Sequence, residues 1–219
     1  VAGCSRAGID YTTEASAQET IRQIPLRRAG NAGDIARAVV FLASEYDGFI
    51  NGATLDINGV AIGPETLTSV QGTGVGGNGA ITGTGTASLT GNITMGGNTT
   101  IGGTGTLTLS GVVGDGGGAN FSLTKTGTGT LVLTGANTYG MGTIVNQGVL
   151  NLQNAQAAGN NPVAAGGVVV ANGAAVQLQG GFADAHPLTL NGTGISNDGA
   201  LRNISGNNTW SGAITLGSA

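Results

Sequence analysis

The sequence predicts a mainly β protein: a right-handed parallel β-helix, which is a solenoid of stacked strands, with a small N-terminal α/β remnant. The first observation is a nine-residue phrase, GTGTLVLTG at 127–135, that recurs closely at 83–91 and 103–111 and more loosely at 146–154, 172–180 and 198–206. Its seventh position is always aliphatic: Leu89, Leu109, Leu133, Leu152, Leu178 and Ile204. Repeats of about 20–25 residues are typical of architectures built from stacked units.

The second observation is the alternation of side chains inside each copy. Leu131 and Leu133 fall on one side of an extended chain, whereas Thr130, Val132 and Thr134 fall on the other. One copy is too short to bury a core of its own. Copies stacked about 4.8 Å apart, however, would pair their strands and align their leucines into a continuous interior.

The third observation is a change of composition near residue 63 of the 219. Residues 1–62 contain 12 of the 18 charged side chains, whereas 37 of the 44 glycines follow them. We therefore expect three parts: an α/β fragment at 1–62, a glycine-rich linker at 63–79 and β-helix repeats at 80–219. The net charge of −4 without a basic stripe argues against a nucleic-acid partner. No run of 18 apolar residues is present, so we expect no membrane-spanning helix.

Residues 1–62 contain start and stop signals that are typical of two helices and a strand. A helix is expected over 15–23, ending before Pro25, and a second from the cap at Asn31 to about Ser44. The residues at 52–59 then indicate a short strand that ends in Asn-Gly.

Four phrases in this part carry a family resemblance: IPLRRAG at 24–30, DIA at 34–36, VVFLAS at 39–44 and INGATLDING at 50–59. They resemble the C-terminal end of short-chain dehydrogenases/reductases over about 50 residues. The resemblance implies the last helix and last strand of a doubly wound sheet. The family's chemistry lies in an N-terminal glycine motif and a Tyr-x-x-x-Lys with a Ser, and no tyrosine here is followed by lysine at the fourth position. No cofactor site is therefore expected.

Glycine motifs elsewhere have a simpler interpretation. The segment 74–79 matches GxGxxG, but glycine is so frequent here that such patterns arise by chance. The segment also does not follow a strand and open a helix, which phosphate binding requires. We interpret these glycines as chain corners.

A longer repeat is also visible: GANTY at 135–139 recurs as GNNTW at 206–210. Together with residues 123–150, these segments resemble the autotransporter-associated β-strand repeat. The resemblance is strong over about 30 residues and loose over about 140. The resemblance implies a surface-exposed passenger that is exported through an outer membrane.

Five residues are candidates for a catalytic, binding or modification site. His186 lacks a nucleophile or metal-spaced partners in sequence, so a loop histidine is expected. Asp115 stands in a GDGGG segment similar to calcium-binding glycine repeats, but the alternating Asp ladder is missing. Tyr139 and Trp210 are better explained as corner packing residues than as a carbohydrate platform, and VAGC at Cys4 as a chance match to a lipobox. We predict no catalytic, cofactor or metal site.

The sequence thus favours a non-enzymatic structural segment of a secreted or cell-surface, autotransporter-like protein that acts as a stalk or an adhesive rod. Its expected partners are neighbouring coils of a longer β-helix, or other copies through head-to-tail self-association. The alternative is the cytoplasmic C-terminal part of a short-chain dehydrogenase/reductase, inactive without its nucleotide-binding half. A polysaccharide-cleaving enzyme is disfavoured, since no acidic cluster is present.

Overall fold

The computed structural model describes residues 54–160 and 167–217, all of which belong to one compact unit. The helices expected over 15–23 and 31–44 lie outside the described residues. Within them, the only helical elements are two 3-10 turns, Val75–Gly77 and Ile195–Asn197. The strand expected at 52–59 is observed as Leu55–Asn58.

The described strands form two large parallel sheets and one small one. The ten-stranded sheet contains β1 (Leu55–Asn58), β3 (Leu67–Gly72), β4 (Ile81–Thr84), β6 (Ile93–Gly103), β8 (Val113–Gly114), β9 (Leu123–Lys125), β11 (Thr143–Val145), β13 (Val168–Val170), β16 (Leu188–Leu190) and β19 (Ile214–Leu216). The seven-stranded sheet contains β2 (Ala61–Ile62), β5 (Thr86–Leu89), β7 (Thr106–Leu109), β10 (Thr130–Leu133), β12 (Gly148–Leu152), β14 (Ala174–Gln179) and β17 (Leu201–Ser205). The two-stranded sheet pairs β15 (Ala183–Asp184) with β18 (Thr209–Trp210).

The predicted fold class, a right-handed parallel β-helix, is wrong. The described strands form two large parallel sheets of unequal size, not a solenoid of equivalent coils. The inequality arises at β6, an eleven-residue strand that also pairs with β3 and β8 beside the main strand order. Side-chain alternation specifies which face of a strand is buried, but it does not specify how strands are divided between sheets. A repeat with this alternation therefore does not by itself specify a solenoid.

The leucine positions of the repeat do align, within the seven-stranded sheet. Parallel pairing places Leu89, Leu109, Leu133, Leu152 and Leu178 side by side on consecutive strands. All five are buried, with exposures of 4% or less. They belong to one apolar cluster that also takes side chains from the ten-stranded sheet. The alternation thus reports burial correctly.

The sixth copy departs from this leucine column. Leu178 lies opposite Asn203, not Ile204, and the register shift that follows leaves Ile204 as an extra residue that is 46% exposed. An extra residue in one strand reverses which side chains face inward beyond that point. The column therefore ends at Leu178.

The segment predicted as a linker contributes to the ten-stranded sheet. Residues 63–79 contain β3, which pairs with β6, and Leu67 is buried in the core. The strand β1, which falls within the dehydrogenase-like phrase, pairs with β4. The predicted boundaries at 62 and 79 themselves stay predictions.

Glycine is required where consecutive corners approach one another. Gly127 has a positive φ of 74°, and a Cβ built there would collide with the carbonyl oxygen of Gly103. An L-residue would be strained in this conformation and would also force the backbones apart. Such corners explain the glycine of the repeated phrase.

Truncation of one column leucine tests the buried alignment. Leu133→Ala should lower the free energy of unfolding by about 2–5 kcal/mol, because it removes buried methyl groups and leaves a cavity. Thr108→Ala, on the outer side of β7, should change it by no more than about 0.5 kcal/mol. Denaturant titration measures both, and equal losses would contradict the assignment of inner and outer faces.

Candidate functional site: a hydroxyl face on the seven-stranded sheet

The outer side of three neighbouring strands carries an array of hydroxyl groups. Parallel pairing places Thr86 beside Thr106 and Thr106 beside Thr130, and in the next row Ser88 beside Thr108. Thr90, Ser110 and Thr134 form a third row, each directly after the end of its strand. We call these eight residues the hydroxyl face: Thr86, Ser88, Thr90, Thr106, Thr108, Ser110, Thr130 and Thr134.

The geometry of the hydroxyl face is that of the sheet itself. Within a row, side chains on neighbouring strands are about 4.8 Å apart. Along one strand, alternate residues, and therefore successive rows, are about 7 Å apart. All eight side chains are exposed or half-buried. Within the described residues, no protein group makes a hydrogen bond with their hydroxyls, so the hydroxyls are available to a ligand or to water. None of β5, β7 and β10 carries a charged residue.

Side-chain amides continue the same outer surface on the next two strands. The Asn151 amide nitrogen donates to Gln177 Oε1 at 3.2 Å and to Gln179 Oε1 at 3.3 Å. Gln153 Nε2 in turn donates to Asn151 Oδ1 at 3.0 Å. These amides satisfy one another, in contrast to the free hydroxyls beside them.

His186 lies in the loop between β15 and β16, as predicted, but it is not exposed there. It is buried, with Nδ1 2.6 Å from Asp184 Oδ1 and Nε2 3.1 Å from the carbonyl oxygen of Gly159. Both ring nitrogens therefore face oxygen atoms of the protein. Asp184 is fully buried, and its Oδ2 has no hydrogen-bond partner among the described residues.

Neighbouring loops enclose this ion pair. Trp210 Nε1 donates to the His186 carbonyl at 2.8 Å, and Ser211 Oγ donates to the Asp184 carbonyl at 2.9 Å. Ser211 thus bonds the backbone and not the imidazole, so the three side chains do not form a nucleophile–base–acid chain. With His186 only 3% exposed, a substrate has no access, and the pair fastens three loops together.

Sequence reasoning missed the pair, although its signal was present. Asp184 and His186 stand two residues apart, a spacing at which a carboxylate can bond both the backbone N–H and the ring of the histidine. Asp184 Oδ1 does accept the His186 N–H, at 2.8 Å.

The two corner aromatics are packed, as their repeat positions predicted. Tyr139 is completely buried, and its hydroxyl lies 2.6 Å from Thr143 Oγ1. Burial raises the pKa of Tyr139, the negative charge of Asp184 raises it further, and the bond to Thr143 opposes this. Trp210 is half-buried against the core. The buried Tyr139 ring offers no face for sugar stacking.

Asp115 accepts hydrogen bonds from the backbone of its own loop and of the loop at Gly140. Its Oδ1 accepts the Gly117 N–H at 3.3 Å, and its Oδ2 accepts the Gly140 N–H at 3.1 Å. Burial favours a higher pKa for Asp115, but the backbone N–H groups of Gly117, Gly140, Phe121 and Gly118 outweigh it and lower the pKa. Across residues 54–160 and 167–217, no cluster of His, Cys, Asp and Glu could hold a metal ion.

Lys125 is a buried cation that has no carboxylate partner among the described residues. Its Nζ donates to the carbonyl oxygens of Thr126 and Gly127, both at 2.7 Å, and of Gln147 at 3.0 Å. These bonds use all three protons of the ammonium group. On the neighbouring strands its place is taken by Ile101 and Val145. Burial lowers the pKa of Lys125 from 10.5 to about 8.

Comparison with protein families finds one match, to the passenger-associated-transport-repeat, over residues 123–152. The matched segment runs from the first residue of β9 to the last of β12 and includes Lys125, Tyr139 and Thr143. This confirms the resemblance to autotransporter repeats. The match covers a minor part of the chain.

Curated relatives match a second short segment. The chain is 52% identical to an acetoacetyl-CoA reductase of Shinella zoogloeoides and 50% identical to one of Rhizobium meliloti, each over 42 residues. It is 51% identical over 39 residues to a 3-oxoacyl-[acyl-carrier-protein] reductase of Haemophilus influenzae. These segments make up 18–19% of this chain and 16–17% of the relatives' length.

The resemblance to reductases is thereby confirmed as well, over a short segment. No solved structure matches the chain. Among the described residues, no helix is long and apolar enough to cross a membrane.

The shifted pKa of Lys125 predicts a specific pH dependence of stability. Between about pH 8 and 10.5 the unfolded chain binds the lysine proton and the folded chain has released it, so the free energy of unfolding should rise with pH. Lys125→Met should abolish this rise, because methionine does not titrate. Urea titrations of both proteins from pH 7 to 9.5 measure the difference, and parallel pH profiles would contradict the lowered pKa.

Two ion pairs of equal length allow a matched test of burial. The shortest N–O distance is 2.6 Å both in His186–Asp184, which is buried, and in Arg202–Asp198, in which Asp198 is 65% exposed. Asp184→Asn should cost about 1–3 kcal/mol, because it disturbs the two buried hydrogen bonds between Asp184 Oδ1 and His186. Asp198→Asn should cost at most about 1 kcal/mol. If denaturant titration gives similar losses, burial does not determine the contribution of these pairs.

Proposed function

We propose that this chain is a non-enzymatic structural segment of a secreted or cell-surface, autotransporter-like protein, and that it adheres weakly through the hydroxyl face. The observation that carries the proposal is the set of eight hydroxyls in register on an uncharged sheet surface without protein partners. The match of residues 123–152 to a passenger-associated-transport-repeat supports the surface location.

The chemistry of the hydroxyl face favours a neutral, hydroxyl-rich ligand. Threonine and serine hydroxyls donate and accept hydrogen bonds, but without charge each bond contributes little, since it replaces a bond to water. A ligand with a repeating structure can engage several rows at once. The effective concentration of the later contacts then raises the overall affinity. A neutral polysaccharide has these properties.

The interior supports a structural and not a catalytic role. The buried His186, Tyr139, Asp115 and Lys125 all have their hydrogen bonds directed to neighbouring protein groups. These bonds hold loops and corners in place. The segment would then serve to keep an ordered surface in position, as a stalk or as the adhesive surface itself.

Retention on cellulose particles tests the adhesive part of the proposal. The wild-type chain should be retained, and Thr106→Lys/Thr108→Lys should weaken retention roughly tenfold or more, because two bulky charges interrupt the array. Thr124→Lys/Thr189→Lys is the matched control, with the same change at half-buried positions of the ten-stranded sheet. Failure of the wild-type chain to bind, or equal loss in both variants, would contradict adhesion through the hydroxyl face.

A second candidate function rests on the reductase similarity of about 50% over 42 residues. Under this alternative hypothesis the chain is the C-terminal part of a short-chain dehydrogenase/reductase and is inactive without a nucleotide-binding half. We expect no binding of NADH or NADPH, because the sequence has no Tyr-x-x-x-Lys. Titration of either nucleotide, followed by its fluorescence, measures this. Saturable binding at micromolar concentration would overturn the structural proposal in favour of the reductase.

A further inference from the structure

Asparagine is followed directly by glycine at four places within the described residues: 58–59, 78–79, 172–173 and 191–192. In such a pair the backbone nitrogen of the glycine can attack the side-chain carbonyl carbon of the asparagine, because glycine has no side chain to obstruct the approach. The reaction requires that both groups can move towards each other. The fold therefore determines which of the four pairs can react.

Hydrogen bonds hold three of these pairs in place. The N–H groups of Gly59 and Gly79 each donate to a backbone carbonyl at 2.8 Å. The side-chain nitrogen of Asn191 donates to the Val170 carbonyl, also at 2.8 Å. In each of these pairs, a bond to one of the two reacting groups has to break before they can meet.

The fourth pair, Asn172 with Gly173, lies at the tip of a β-turn. Ala174 N donates to the Ala171 carbonyl at 3.1 Å, and Gly173 has a φ of 78°. A positive φ at the third residue and not at the second is typical of a type II turn, in which the first carbonyl accepts from the last N–H. The peptide group between Asn172 and Gly173 takes no part in that hydrogen bond.

Both reacting groups of this fourth pair are accessible. Asn172 and Gly173 are exposed, and a Cβ built on Gly173 would meet no atom within 4 Å. A Cβ on Gly192 would collide with Asn172 Oδ1, so glycine there leaves room for the asparagine side chain. Across residues 54–160 and 167–217, no protein group makes a hydrogen bond with the Asn172 side chain or with the Gly173 N–H. The Gly173 nitrogen can therefore approach Asn172 Cγ without breaking a hydrogen bond.

We propose that Asn172 is a site of spontaneous modification, at which it cyclises with Gly173 and is converted to aspartate and isoaspartate. A bond forms between the Gly173 nitrogen and Asn172 Cγ, the Cγ–Nδ2 bond breaks, and ammonia leaves with the proton of the Gly173 amide. Water then opens the cyclic imide at either of its two carbonyl groups. The reaction consumes only water. This inference goes beyond the proposed adhesive function and does not depend on it.

Either product alters the turn that joins the two large sheets. Residues 171–173 connect β13 of the ten-stranded sheet to β14 of the seven-stranded sheet. The net charge changes from −4 to −5, since one neutral amide becomes a carboxylate. In isoaspartate the main chain also passes through the side-chain carbonyl and is one methylene longer. Modified chains can therefore be separated from unmodified ones by ion exchange.

Peptide mapping of the full chain by mass spectrometry tests the proposal. The folded chain is kept at mildly alkaline pH, where the glycine nitrogen loses its proton more readily, and the four pairs are followed in the same digest. Asn172 should be converted at least about fivefold faster than Asn58, Asn78 or Asn191, because the other pairs must first break a hydrogen bond. Equal conversion of the four asparagines in the folded chain would overturn the proposal.

The same experiment in guanidinium chloride separates the effect of the fold from that of the local sequence. In the unfolded chain the hydrogen bonds that protect three of the pairs are lost, so all four pairs should react at similar rates. A preference for Asn172 that is just as large in the unfolded chain would show that the turn does not cause it, and would overturn the proposal.

Ion exchange of variants provides the second readout. All chains in this comparison carry Asn51→Gln, because the Asn-Gly pair at 51–52 lies outside the described residues. The parent chain should accumulate a more acidic species with time, and Asn172→Gln should remove most of it, since glutamine would have to form a larger ring. Asn58→Gln, the same change at another exposed Asn-Gly pair, is the matched control and should not. An acidic species that forms equally fast in the Asn172→Gln variant would overturn the proposal.

Discussion

The structure depends on parallel strands that pair in one fixed register. Leu109 lies beside Leu133, and Leu133 beside Leu152, so each leucine is covered by the next. A slip by one residue would turn this column outward and bring Thr108 and Val132 into the interior. The buried column and the hydroxyl face are therefore two sides of the same constraint: the alternation that fills the core also arranges the hydroxyls outside it.

Where Lys125 enters this interior, backbone carbonyl groups satisfy its ammonium group. Lys125 replaces an aliphatic residue of its column and is neutralised by no carboxylate, but three corner carbonyls accept its protons. Gly148 makes room for this arrangement, because a Cβ there would lie 2.9 Å from Lys125 Nζ. The corner glycines thus allow close stacking and also leave carbonyl groups free to bind a buried cation.

The sequence allowed the strands and their faces to be predicted, but not their division into sheets. The repeated phrase identified the leucine column up to Leu178, because the period of two is a local property of extended chains. It could not show the register shift that exposes Ile204, nor the extra pairings of β6, since both depend on contacts between distant segments. For the same reason, the loop position of His186 could be predicted, but not its burial beside Asp184 and Gly159. The hydroxyl face, in contrast, follows from local alternation.

Register is the central claim, and cross-linking of engineered cysteine pairs tests it most directly. In a Cys4→Ser background, Thr106→Cys and Thr130→Cys fall on directly paired residues of β7 and β10. Adjacent strands are about 4.8 Å apart, a separation within the Cα range of disulfides. Thr106→Cys with Val132→Cys places the second cysteine two residues further along the same face. The account predicts an intramolecular disulfide in the first protein and little in the second. Preferential cross-linking of the second pair would show a register shifted by two residues and contradict the pairing of Leu109 with Leu133.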